Sequence, residues 1–91
     1  MEIKWTSKSL SDLSRLYSFL ALVNKQAAAN TVQSLTQAPN KILHQPQIGE
    51  RLDEFVLREV RRLLVGHYEM RYELCNDTFY VLRIWHTRER R

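Results

Sequence analysis

The chain has 91 residues, 44% hydrophobic and 26% charged, with a formal net charge of +4 and a pI near 9.6. These values describe one globular domain spanning 1–91 and exclude a disordered or low-complexity chain. A single cysteine, Cys75, excludes an internal disulfide, and no apolar run approaches the roughly 18 residues that cross a bilayer. The start MEIKWTSKS also lacks the cationic-then-apolar pattern of a signal peptide, so a cytoplasmic protein away from the membrane is expected.

Residues 2–5, EIKW, alternate polar and apolar and predict a short strand with Ile3 and Trp5 on one face. Thr6 or Ser7 then offers a side-chain oxygen that can accept from an orphan N–H, a helix N-cap. Leu10, Leu13, Leu16, Tyr17 and Leu20 follow at helical spacing, with Lys8, Asp12, Arg15 and Ser18 on the other side. The spacing predicts a helix over about 8–23. Asn24 is a good cap for either helix end, so Asn24 and Lys25 mark a tight reversal.

QAAANTVQSLTQ carries Ala28, Val32 and Leu35 on one stripe and predicts a second helix. Pro39 lacks a backbone donor and is expected to kink or break it, with a kinked continuation to about 45 before Pro46 stops it. QIGERLDEFVL, 47–57, reads as a polar connection with apolar anchors at Ile48, Leu52 and Phe55.

After this the period becomes two. EVRRLLV, 59–65, has high strand propensity. In HYEMRYELC, 67–75, Tyr68, Met70, Tyr72 and Leu74 share a dry face, and His67, Glu69, Arg71 and Glu73 a wet one. Gly66 marks one turn and Asn76-Asp77 the next, since both residues of that pair tolerate positive φ. TFYVLRIWH, 78–86, is apolar on both faces, as an interior strand is. The order is strand, helix, helix, strand, strand, strand. It predicts an α+β domain of two layers, βααβββ, with a helical hairpin packed on an antiparallel sheet.

Charge is unevenly placed. Arg83, Arg88, Arg90 and Arg91 oppose only Glu89 near the C-terminus, while Glu50, Asp53, Glu54 and Glu59 outnumber Arg51 and Arg58 in the connection. A basic end of this kind suits an acidic partner, either nucleic acid or protein. His44, His67 and His86 are far apart and no CxxC or HxxxH occurs, so no metal or other cofactor is expected. No GxSxG elbow or phosphate-cradling glycine loop is present, and Cys75 reads as incidental.

The strands can still assemble arginines with His86 and a carboxylate from Glu50. Metal-free RNA cleavage needs such a set: a base for the 2′-OH, an acid for the leaving oxygen and arginines for the phosphorane. On β alternation, Arg83 and Trp85 point one way while Ile84 and His86 point the other. The plainer reading is that Arg61, Arg62 and Arg83 pair with Glu59, Glu69 and Glu73 across strands, each pair worth about 0.2–1 kcal/mol.

KSLSDL (8–13), PQIGERL (46–52), EVRRLLVGHYEMRYEL (59–74) and VLRIWHTRE (81–89) together resemble the RelE/ParE superfamily of type II toxin–antitoxin toxins over almost the whole chain. The resemblance implies the βααβββ fold independently. It also implies one of two activities. RelE-like members cleave mRNA in the ribosomal A site; ParE-like members share the fold but stall DNA gyrase and block replication.

In one nuclease branch the working residues are a glutamate before the meander, an arginine on its middle strand and a histidine near the C-terminus. These fall on Glu50, Glu69 and His86, so the arginine position reverses its charge. A carboxylate there opposes a phosphorane dianion. Arg71 lies on the same face but about 7 Å further along the strand. The other nuclease branch uses lysines, arginines and a C-terminal tyrosine, yet residues 42–91 contain no lysine and no tyrosine follows Tyr80.

The WHTRE ending resembles the ParE-like branch. The resemblance therefore implies a gyrase inhibitor without catalytic residues; were the chain a RelE-like endoribonuclease instead, Glu50, Arg62, Arg71 and His86 would form its set. Arg83, His86, Arg88, Arg90 and Arg91 are then the candidate target-binding residues. The resemblance further implies a cognate antitoxin whose C-terminal segment lies beside the helical hairpin and extends along the sheet. Leu13, Tyr17, Leu20, Val32 and Leu35 are the candidate antitoxin-binding residues. No sequence-specific nucleic-acid binding is expected without the antitoxin.

Overall fold

A computed structural model describes residues 1–89. The elements are β1 (Glu2–Trp5), α1 (Ser7–Ala21), α2 (Lys25–Ile42), β2 (Glu50–Arg51), β3 (Glu59–Val65), β4 (Tyr68–Cys75) and β5 (Thr78–His86). Both helices start where the sequence offers a cap. The Thr6 hydroxyl accepts from the Ser9 N–H at 3.1 Å, and the Asn24 side chain accepts from the Ala27 N–H at 3.0 Å.

α2 runs unbroken through Pro39 and ends at Ile42, short of the continuation to about 45 that the apolar stripe predicts. Proline removes one backbone bond. Leu35, Ala38, Pro39 and Ile42 are buried there, and that burial outweighs the loss.

The sheet order is β1-β5-β4-β3-β2. β3, β4 and β5 form the antiparallel meander, and Gly66, Asn76 and Asp77 take positive φ in its turns. Two features correct the antiparallel expectation. β1 pairs parallel with β5, so the sheet is mixed. The two-residue β2, inside the segment read as connection, pairs with β3 through Glu50–Arg62 and Arg51–Arg61. Alternation reveals the face of a strand but not its direction, and a strand of two residues leaves no period to read.

The helices cover one face of the sheet. Leu13, Leu16, Leu35, Ala38 and Ile42 meet Met70, Tyr72, Phe79, Val81 and Ile84 in the core. Tyr72 and Phe79 stack with centroids 4.4 Å apart. The buried stripe of α1 is Ser9, Asp12, Leu13 and Leu16, whereas Leu10 and Tyr17 are exposed. Asp12, read as solvent-facing, is therefore inside.

A bulge in β5 sets the faces near the C-terminus. Tyr72 pairs with Val81 and Arg71 with Arg83, which leaves Leu82 as the extra residue. Strict alternation would place Arg83 and Trp85 in the core with Phe79 and Val81. The bulge shifts the phase, so Ile84 enters the core and Arg83 and Trp85 join the opposite, outer face.

Candidate functional site

The outer face carries a row of arginines. Arg62 on β3 lies opposite Arg71 on β4, which lies opposite Arg83 on β5. Arg62 Nε donates to Glu50 Oε1 at 2.6 Å, and its Nη1 donates to Glu69 Oε1 at 3.4 Å. Arg71 Nη2 donates to Glu69 Oε2 at 3.3 Å. The Arg71 guanidinium also sits 4.9 Å from the centre of the Trp85 ring. Glu69, placed on the wet face by its sequence, is only 8% exposed, because these side chains close over it.

The expected cross-strand pairs are realised in part. Arg62 holds Glu69, whereas Arg61 holds Glu59 on its own strand at 2.9 Å. Glu73 goes to Arg58 at 2.8 Å, and this pair holds the Glu73 carboxyl below its usual range.

Arg83 reaches round the sheet edge instead. Its Nε donates to Asp12 Oδ2 at 2.9 Å, and the same oxygen accepts the Ile84 N–H at 2.9 Å. β1 stops opposite Val81, so Ile84 faces an edge without a strand, and Asp12 from α1 satisfies it. Burial pushes the Asp12 carboxyl up, but the bonds from Arg83, Ile84 and Arg15 outweigh it and hold the carboxyl below its ordinary value. Arg83 is thus anchored to α1 through the Asp12 carboxylate.

His86 lies on the other face. It pairs in register with Tyr68, on the side that carries Met70, Tyr72 and Ile84 into the core. Its ring meets Tyr68 edge-on at 5.2 Å and lies 6.2 Å from His67, nearly parallel to it. The chain then turns: the Arg88 N–H donates to His86 Nδ1, and the His86 N–H donates to Glu89 Oε1, both at 3.1 Å. The sheet therefore separates His86 from Glu50, Arg62 and Arg71. The four residues of the nuclease alternative do not converge on one site.

Beside His86 is an open groove of about 720 Å³, between the helical hairpin and the ends of β4 and β5. Leu16, Phe19 and Leu20 form its apolar side, with Tyr68, His67 and His86 opposite and Arg15, Arg88 and Glu89 at its rim. Phe19 is 71% exposed. Of the candidate antitoxin contacts, Leu13 and Leu35 belong to the core, 8% and 1% exposed. Leu20 and Val32 are partly buried beside the core, and Tyr17 is exposed. Phe19 and Arg15 also line the groove, and an exposed phenylalanine on a helix carries no periodic signal in the sequence. Arg90 and Arg91 lie outside the described residues.

A third cluster fixes the loop before β2. The Tyr72 hydroxyl donates to the Pro46 carbonyl at 2.8 Å and accepts the Gly49 N–H at 3.0 Å. A Cβ on Gly49 would stand 2.5 Å from that hydroxyl and 2.7 Å from the Arg62 carbonyl. Glycine is required by this close approach, and the PQIGE segment that carried the resemblance is the segment so clamped. Among the described residues no three His, Cys, Asp or Glu gather as a metal site, and no helix is long and apolar enough to cross a membrane.

A family model described as the ParE toxin of the type II toxin-antitoxin system, parDE, matches residues 3–91. The chain belongs to this family. Among solved structures, a chain of the chromosomal ParDE TA system from P. aeruginosa is similar to the toxin with a TM-score of 0.76. The two are 22% identical, over 94% of this chain and 95% of that one, a likeness of fold. No curated protein matches the toxin. Membership makes it the toxin component of a type II toxin–antitoxin system.

Proposed function

We infer that this bacterial, cytoplasmic toxin inhibits DNA gyrase, blocks replication without catalysing a reaction of its own, and is neutralised by a cognate antitoxin. The observation that carries the reading is the ParE match along nearly the whole chain. It is supported by the position of His86, on the opposite face of the sheet from Glu50, Arg62 and Arg71. General acid–base cleavage needs its groups around one phosphate.

The antitoxin segment is assigned to the groove beside the hairpin. Phe19, Leu20 and Tyr68 suit the apolar face of an amphipathic segment, and Arg15 and Arg88 suit acidic residues at its border. Tyr17, exposed on α1, and Val32, partly buried on α2, are further candidate contacts outside the groove lining. Gyrase contact is assigned to the C-terminal end, with Arg88, Arg90 and Arg91 as its cations and His86 and Arg83 as the residues that position it.

The test is a supercoiling and cleavage-complex assay with purified toxin. Loss of supercoiling and accumulation of cut DNA are expected. Unaffected gyrase at large molar excess, with message cleaved by ribosomes in primer extension, overturns the reading.

A further inference from the structure

We propose that Glu69 is a built-in occupant of an anion site on the outer face of the sheet, and that its carboxylate keeps the phosphate backbone of single-stranded nucleic acid off that face. The inference does not depend on the toxin's target.

Three adjacent strands set Arg62, Arg71 and Arg83 directly opposite one another. Like charges at opposed positions destabilise a sheet, so the row needs anions beside it. Asp12 takes Arg83. Glu69 serves the other two, one carboxylate oxygen to each guanidinium, at 3.4 and 3.3 Å. Both contacts exceed the roughly 2.7–2.9 Å of a well-formed charged hydrogen bond. Arg71 Nε is also buried with no partner among the described residues. Arg62 has a second anion in Glu50, at 2.6 Å, whereas the Glu69 carboxylate does not saturate Arg71, whose Nε stays unpartnered among the described residues.

An opening lies next to the pair. A cavity of about 390 Å³ is lined by Glu50, Arg62, Leu63, Leu64 and Glu69. Trp85 beneath Arg71 holds that guanidinium against the sheet. Phosphodiester oxygens suit planar guanidiniums presented in this way. As it stands, Glu50 and Glu69 balance Arg62 and Arg71 in charge. Removing the Glu69 charge tips the cluster positive and frees donors from two strands at once.

The experiment measures binding of a short single-stranded RNA by fluorescence anisotropy, against salt. The wild-type toxin is expected to bind weakly. Glu69→Gln keeps the side-chain shape and is expected to bind about tenfold tighter at low salt, with a log–log salt slope steeper by about 0.7 for each of two phosphate contacts. Adding Arg62→Gln or Arg71→Gln to Glu69→Gln is expected to remove the gain. Circular dichroism reports folding. Should Glu69→Gln not fold, Glu50→Gln, which releases Arg62 from the exposed side, is expected to give a smaller gain of the same kind. Three results overturn the proposal. The first is no gain in either variant. The second is wild-type binding as tight as the variant's. The third is a gain that survives loss of Arg62 and Arg71, which would locate the RNA elsewhere, such as on the basic tail.

Discussion

The two faces of the sheet treat their unsatisfied groups in opposite ways. On the outer face charge is balanced within the molecule: Arg62 by Glu50 and Glu69, Arg71 by Glu69, Arg58 by Glu73. On the helix face apolar surface is left uncovered at the groove, where Phe19 stands in solvent. The contrast separates a surface that already holds its own counterions from one that lacks a cover. A partner gains most where burial is still available, and little where it must displace existing ion pairs.

Asp12 joins the two faces and gives the largest expected effect. Asp12→Ala strips the Ile84 N–H and Arg83 of their common acceptor, and about 2–4 kcal/mol of stability is expected to go in urea unfolding. The pH dependence has a definite sign. The folded pKa of Asp12 lies below its unfolded value. Its contribution is therefore fully present above the unfolded value of about 4 and disappears as pH falls through the folded one. Asp12→Asn is expected to be less stable at neutral pH and to lack that portion of the acid limb.

Phe19→Asp tests the groove. It is expected to weaken antitoxin binding by about 2–3 kcal/mol in calorimetry, with little change in melting temperature, because an exposed side chain adds little to the fold but much to an interface. An unchanged affinity would place the antitoxin on another surface and remove the contrast between the faces.

Gly49→Ala is expected to cost about 1–3 kcal/mol through overpacking against Tyr72 and the Arg62 carbonyl. The smallest effect is expected of Glu50→Gln. Its bond to Arg62 is short but solvent-exposed, and a loss within about 1 kcal/mol in the same unfolding assay would show the outer face to be balanced rather than stabilised by its charges.

Much of the fold was legible because it rests on local rules. Thr6 and Asn24 cap, Asn76-Asp77 turns, and Tyr68, Met70 and Tyr72 keep to one face, as their sequence positions predict. The site was less legible because it rests on register. Nothing local marks Leu82 as an extra residue, and without the bulge the partners of Arg83 cannot be named. Asp12 looked solvated because a carboxylate among polar neighbours normally is. Its burial follows from the early end of β1, which leaves the N–H of Ile84, 72 residues away in sequence, without a strand partner. Glu69 was singled out for its charge, but its shielding depends on Arg62 and Arg71 closing from two strands.

The Leu82 bulge makes the parity of the chain count. Deleting Leu82 would set Val81 directly before Arg83, and a regular strand would then carry Val81 and Ile84 inward and Arg83 and Trp85 outward, the same faces they occupy now. A deletion elsewhere in β5, with the bulge kept, would instead throw the residues on one side of it onto the wrong face. Tolerance to length change in this strand of the toxin is thus set by phase, and the most tolerant point is a leucine that the pairing already skips.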